Sequence, residues 1–307
     1  MGGLERARAL YEEYGRPMIH EQFPEYEGRI AAGLAGRGSE CFGFDDELSR
    51  DHDTEEGFCL WLEDVDDIRI GVALARAYRA LPLQRGGEKS AMAEDKTGVR
   101  RTGFFYRRYT GSAGAPENWQ QWLYLPSHAL AEATNGAVFR DDLGHFSAIR
   151  EQILHGMPED VRKKKLAARA VEMAQSGQYN YARCLGHGEE GAAMLAMAEF
   201  VQAACGMIYL LNRRHMPYYK WMLRGLESLP LLGELRPALD FLLTGDNDEA
   251  GRQTKAGVVE DICAAVVRQL RAQDLTGGDW DYLEPHAFQI MGRIENPEIR
   301  ALHVMEG

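Results

Sequence analysis

The spacing of apolar residues divides the chain into two regimes. Over residues 4–14, Leu10, Tyr11 and Tyr14 share one stripe at helical spacing, which predicts an amphipathic helix. "RIAAGLAGRGS" (29–39) is a short apolar run ending in glycines, and "GFCLWL" (57–62) is another. Runs of this length between turn residues predict buried strands. "EDVDD" then leads into a helix over "IRIGVALARAYRAL", ended by Pro82. "QRGGEKSAMAEDKTG" (84–98) reads as a loop, and "VRRTGFFYRRYTG" as a strand followed by a short helix. Residues 118–144 mix helix and turn signals, with Asn135-Gly136 the clearest turn.

From about residue 157 the pattern becomes helical throughout. "PEDVRKKKLAARAVEMAQSG" opens with Pro158 and acids in its first turn. "EEGAAMLAMAEFVQAACGMIYLLNRRH" is a longer helix rich in Ala and Gly, and "PALDFLLTG" and "AGVVEDICAAVVRQLRAQ" add two more. Pro217 is expected to stop or kink the long helix. "SGQYNYARCLGHGEEG" (176–191) reads as a polar, aromatic loop between helices, with Tyr179, Asn180, Tyr181 and Arg183 facing an acceptor or packed at helix ends. The fold class is α+β, a mixed sheet with flanking helices followed by an all-α bundle. The domains are drawn as 1–155 and 156–307.

Composition narrows the function. The 307 residues carry 47 acids against 35 bases, a net charge of -12. That balance lacks the electrostatic footprint of a general nucleic-acid binder. The one basic run, Arg162-Lys163-Lys164-Lys165, is read as a solvated helix face. Five scattered cysteines form no CxxC and no zinc spacing, which suits a reducing compartment. No apolar run of membrane-spanning length and no signal peptide are recognised, so a cytoplasmic protein without a membrane partner is expected.

The chemistry concentrates in "GSECFGFDDELSRDHD", residues 38–53. Glycine lets a ligand approach the backbone closely. Asp51 and Asp53 stand two apart, so on an extended backbone their carboxylates share a face while His52 points away. Paired carboxylates repel unless a cation lies between them, and Mg²⁺ takes carboxylate and phosphate oxygens. The residues alone also admit an acidic turn or a Ca²⁺ loop, although the central glycine and spacing of an EF-hand are missing.

"GRGSECFGFDDELSRDHD" resembles the signature of the polymerase-β-type nucleotidyltransferase superfamily: Gly-Ser, a gap, then Asp-x-Asp. It is most similar to an uncharacterised bacterial branch, a domain of unknown function, that also carries a stretch like "LLNRRHMPYYKW", here residues 210–221. The resemblance implies a nucleotidyltransferase-like sheet domain and a helical domain that closes over the nucleotide. It implies that Gly38 and Ser39 hold phosphates and that Asp51 and Asp53 bind Mg²⁺ or Mn²⁺ and act in catalysis. An NTP, ATP first, would be the donor, and the acceptor a small-molecule or protein hydroxyl; no oligomeric state follows.

Beside that resemblance, Lys220 suits phosphate as a point charge, and Tyr218 suits a base or a phosphate. Tyr219 reads either the same way or, with Trp221, as a packing aromatic, and Arg213 and Arg214 read as partners for acids of the first domain. Active superfamily members also carry a third carboxylate on a later strand. Here "TGVRRTG" offers Arg100 and Arg101 instead, with Asp141 and Asp142 as substitutes or as ordinary turn acids. A weakened enzyme, or a nucleotide-binding regulatory protein without chemistry, therefore stands as the alternative. A metal-independent helical scaffold is the third reading.

Overall fold

The structure, a computed structural model, describes residues 2–45, 56–83 and 97–307. The chain divides into two compact units that are not contiguous in sequence. Residues 1–117 and 129–156 form the first; residues 118–128 and 157–307 form the second.

The first unit is built on a four-stranded mixed sheet. Its strands are β1 (Ala31–Leu34), β2 (Cys59–Leu62), β3 (Gly98–Arg101) and β4 (Ala137–Arg140), in the order β3-β2-β1-β4. β1 runs antiparallel to both β2 and β4, whereas β2 and β3 are parallel. A parallel pair needs a long crossover, and the helical residues 64–80 lie between these two strands.

Every residue of β1 and β2 is buried. The reason is that both faces of the sheet are covered, so the period-two alternation of a one-sided strand is absent. Phe58, Leu60 and Leu62 join Tyr11, Ile19, Ile30, Leu74 and Tyr78 in one cluster. Trp61 points the other way. It stacks on Phe146 with ring centroids 3.9 Å apart and meets Phe105 edge-on at 5.5 Å. Phe105 comes from the helix Thr102–Thr110, which the pattern had predicted, and Phe146 from the helix His145–His155. The α+β reading holds, with one strand unforeseen: β4 has three hydrophobic residues in a row between turn signals, and its four residues are half-buried. It is a strand because β1 pairs with it, not because of its own pattern.

The second unit is helical. Its centre is the helix Glu190–Leu211, which buries Ala193, Met197, Phe200, Val201, Ala204, Cys205 and Ile208. By length and composition this helix could cross a membrane, which the sequence reading did not register, but 67% of its apolar window is buried inside the protein. It packs against the helices Glu159–Met173, Arg236–Thr244 and Glu249–Ala272. The expected polar loop at 176–191 is mostly helix. A wide π-helical turn, Ala174–Asn180, runs into the helix Tyr181–Gly186. Gly177 permits this, since a Cβ there would meet the Phe200 ring at 2.2 Å. Tyr181 is buried in consequence, while Tyr179 stays exposed beneath the Arg183 guanidinium.

The basic run is not a solvated face. Arg162 and Lys164 are fully buried and Lys163 and Lys165 half-buried. Each finds oxygen acceptors. Arg162 bonds Glu159 and the Gln273 side chain (3.1 Å), Lys163 the Arg293 carbonyl (2.8 Å), Lys164 the carbonyls of Val304 (3.0 Å) and Glu306, and Lys165 the Leu123 carbonyl (2.6 Å). The long stems lie among apolar residues while the heads reach backbone oxygens. Burial pushes the Lys164 and Lys165 ammonium groups down to about 8.

The sign of the resulting pH dependence follows from linkage. Between about pH 8 and pH 10.5 a lysine so depressed has released its proton in the folded protein while the unfolded chain still holds it. The cost of burying these charges is therefore fully present below about pH 8 and is relieved as pH rises to about 10.5, so stability rises across that window. Thermal melts of the wild type and Lys165→Met across this range test it. The wild-type minus variant difference in Tm should grow with pH, since cysteines and tyrosines titrate equally in both. A flat difference would mean that Lys165 keeps its proton.

Candidate functional site

Asp51 and Asp53 lie outside the described residues. What the structure describes is the other half of the signature, the glycine-bounded loop that leaves β1. The chain passes from Leu34 through Gly36, at φ 117°, and Gly38, at φ 122°, into a single turn of helix, Ser39–Phe42. Residues with a Cβ avoid that region of φ. At Gly36 a Cβ would also come within 2.8 Å of the Tyr109 hydroxyl.

This strained loop is fixed by a side chain the sequence reading treated as a mere turn residue. The Asn135 amide donates from Nδ2 to the Gly36 carbonyl (2.7 Å) and accepts from the Gly36 N–H (2.8 Å). One side chain thus satisfies both polar groups of one backbone residue, as a neighbouring strand would. The next residue, Gly136, donates to the Cys41 carbonyl (2.7 Å). Arg150 in turn donates to the carbonyls of Asn135 (2.5 Å) and Gly136 (3.3 Å), and its own burial lowers its pKa. The Asn-Gly pair was visible in the sequence; its attachment to residues about a hundred positions earlier was not.

Ser39 is buried, and Glu40 folds back over Gly38: a Cβ at Gly38 would lie 2.5 Å from either Glu40 carboxylate oxygen. This acid also escaped the sequence reading. A phosphate arriving at Gly38 meets it, so binding there requires a cation between the two or a rotation of the Glu40 side chain.

The proposed third acids are engaged elsewhere. Asp141 accepts from the N–H groups of Gly144 (3.1 Å) and Ser147 (2.8 Å), at the start of the helix His145–His155. Asp142 holds Arg140 through Nη2 (2.6 Å) and Nε (3.0 Å), and Arg140 bonds Glu27 at 2.8 Å. The Arg140 and His20 hydrogen bonds hold the Glu27 carboxyl down at about 2. Both aspartates thus serve the turn after β4. On β3, Arg101 faces Asp64 (3.7 Å) and Asp67 (3.8 Å). Among the described residues no three His, Cys, Asp or Glu side chains are grouped to hold a metal ion.

In the second unit the long helix ends at Leu211, well before Pro217. Arg213 takes φ 53° and the Arg214 N–H returns to the Tyr209 carbonyl at 3.0 Å, a reversal of the Schellman kind. Arg213 pairs with Glu159 of its own unit at 2.8 Å, not with the first domain. The freed segment lies along residues 122–128. The Met216 N–H bonds the Ser127 hydroxyl (2.7 Å), and Tyr218 meets His128 edge-on at 5.6 Å. Tyr218, Tyr219 and Lys220 are exposed at the start of the helix Tyr219–Leu226; Trp221 is half-buried. Tyr218 and Lys220 are thus both exposed, whereas Gly38 is half-buried and Ser39 buried.

No curated protein matches the chain. Residues 122–222 match a family described as Domain of unknown function (DUF4037). The match takes in Tyr218 and Lys220 and stops short of Gly38 and Ser39. Among solved structures the chain is similar to a nucleotidyltransferase-like protein from Exiguobacterium sibiricum 255-15. The identity is 10%, covering 92% of this chain and 81% of that one, at a TM-score of 0.38. The chain is thus similar to an uncharacterised family and to a nucleotidyltransferase-like protein. At that TM-score the structural likeness carries no argument about the site.

Two substitutions separate the clamp from the cap. Asn135→Ala leaves both polar groups of Gly36 unpaired and should cost about 1–3 kcal/mol in urea denaturation. Asp141→Ala loses helix-start acceptors and should cost about 1 kcal/mol. A neutral Asn135→Ala would show that the loop needs no clamp.

Proposed function

We propose that this protein is a divalent-metal-dependent nucleotidyltransferase that moves an NMP group from an NTP, ATP first, to a hydroxyl acceptor and releases pyrophosphate. The observation that supports it most is the glycine loop after β1, with Gly36 and Gly38 at positive φ and Gly36 held by Asn135. Glycine-lined backbone in such conformations forms concavities that accept phosphate. In this reading the Gly38 and Ser39 backbone holds the donor phosphates. Asp51 and Asp53 supply the paired carboxylates for Mg²⁺ or Mn²⁺, and the bound ion would polarise the reacting phosphorus. Glu40, folded over Gly38, is the acid that the donor phosphates would meet at this loop. The acceptor is a small molecule or a protein side chain.

A second reading keeps nucleotide binding and drops the chemistry. It is favoured by the engagement of Asp141 and Asp142 in the turn after β4 and by the arginines of β3. Calorimetry with ATP, with and without Mg²⁺, run beside a pyrophosphate-release assay over an acceptor panel, separates the two. Asp51→Asn or Asp53→Asn should lower pyrophosphate release by about 10²-fold or more, while the melting temperature holds. Asp141→Asn should leave release intact. Full turnover by the Asp51→Asn, Asp53→Asn double variant would overturn the assignment, and ATP binding without release would favour the regulatory reading.

A further inference from the structure

The second unit carries an open cavity of about 570 Å³, lined by Trp280, Tyr282, Glu284, Pro285, Phe288 and Gln289. We propose that it binds a small organic ammonium ion, with the alkylated nitrogen over the aromatic side chains and its charge facing Glu284. This does not rest on the nucleotidyltransferase reading.

The lining has the chemistry of such a site. Three of the six residues are aromatic, one is proline, and the single ionisable side chain other than tyrosine is a carboxylate. Trp280 is 44% and Phe288 56% exposed, an unusual state for large apolar side chains that are adjacent in a cavity. The segment that carries them is acidic, and the one guanidinium beside its turn, Arg271, is spent on the Gly278 carbonyl (2.7 Å). Between Arg271 and Arg293 the chain carries Asp274, Asp279, Asp281 and Glu284 and no lysine or arginine. An aromatic face attracts a cation through its quadrupole, most strongly when the cation is weakly hydrated. An anion would meet carboxylates here, and a neutral apolar ligand would leave Glu284 unanswered.

The walls are held in place from behind. His286, fully buried, donates from Nε2 to the Trp280 carbonyl (2.9 Å), and its ring meets the indole edge-on at 5.6 Å. The Trp280 indole lies so close to Gly278 that a Cβ there would come within 2.1 Å of it. The Gln289 Oε1 accepts from the N–H groups of Gly277 (2.9 Å) and Gly278 (3.1 Å), fixing the turn that carries Trp280. On the acidic side, Gln175 donates from Nε2 to Glu284 (2.9 Å) and to the Tyr282 hydroxyl (3.3 Å). Burial and the nearby Glu284 carboxylate raise the Tyr282 pKa, so this wall stays a neutral phenol. The carboxylate is thus oriented by an amide, and among the described residues no cationic side chain pairs with it.

The test is calorimetric titration of the full chain, without nucleotide, using choline, its neutral isostere 3,3-dimethylbutan-1-ol, and methylammonium. Trp280→Ala and Glu284→Gln are titrated in parallel, and circular dichroism verifies that each is folded. Choline should saturate one site, and the isostere should bind about tenfold more weakly. Methylammonium, more strongly hydrated, should fall between them or below. Each substitution should weaken choline by about fivefold or more. Glu284→Gln keeps the size and the Gln175 contact, so its loss reports charge and not packing. Equal binding of choline and the isostere would overturn the proposal in favour of a plain apolar site. No saturation by about 10 mM choline would overturn it outright. Because no nucleotide is present, either failure leaves the reading of Gly38 and Asp51 untouched.

Discussion

The grip of one asparagine amide on one glycine holds the candidate site in shape. Gly36 sits where side chains forbid the backbone to go, and a loop of that kind has many other conformations available when left alone. Asn135 removes that freedom by bonding both the N–H and the carbonyl of Gly36, and Arg150 anchors Asn135 in turn. The chain can bring these residues together because β4 pairs with β1, placing Leu34 opposite Ala137. Gly136 has to be glycine for that approach, since a Cβ would fall 1.9 Å from the Leu34 carbonyl oxygen. The sheet thus serves the loop: the pairing that completes it delivers the residue that fixes Gly36 and, beyond it, Gly38 and Ser39.

Some of this was legible in the chain. β1 and β2 announce themselves as short apolar runs because both sheet faces are covered, and the helix Thr102–Thr110 follows β3 as its pattern predicts. The elements that were misread share a cause. β4, the basic run at 162–165 and the residues around Tyr181 all owe their state to partners far away in sequence. A lysine in a run of four bases reads as solvated until distant backbone carbonyls, here those of Val304 and Leu123, are brought to it. A glycine inside a polar stretch reads as a loop until Phe200 occupies the space its side chain would have filled. The long helix ends at Leu211 through a left-handed Arg213, a stop that no proline or glycine signals.

The site shows the same division. Gly38 and Ser39 stand out by composition and by likeness to a known signature. Asn135, Arg150 and Glu40 do not, because their roles are defined only by what the fold sets beside them. Acid density in the sequence is likewise a poor guide to function. Asp141 and Asp142 look like candidates in a chain of net charge -12, yet the folded protein uses them to start a helix and to hold Arg140. Glu40 is the acid that fold geometry, not charge count, sets against the glycine loop.

The most direct measurement is a crystal structure of the protein with a non-hydrolysable ATP analogue and Mg²⁺. The account predicts triphosphate density against the Gly38 and Ser39 backbone, one or more Mg²⁺ ions ligated by Asp51 and Asp53, and Asn135 still closed on Gly36. Nucleotide bound elsewhere, or Asp51 and Asp53 turned apart and neutralised by arginines with no cation between them, would contradict it.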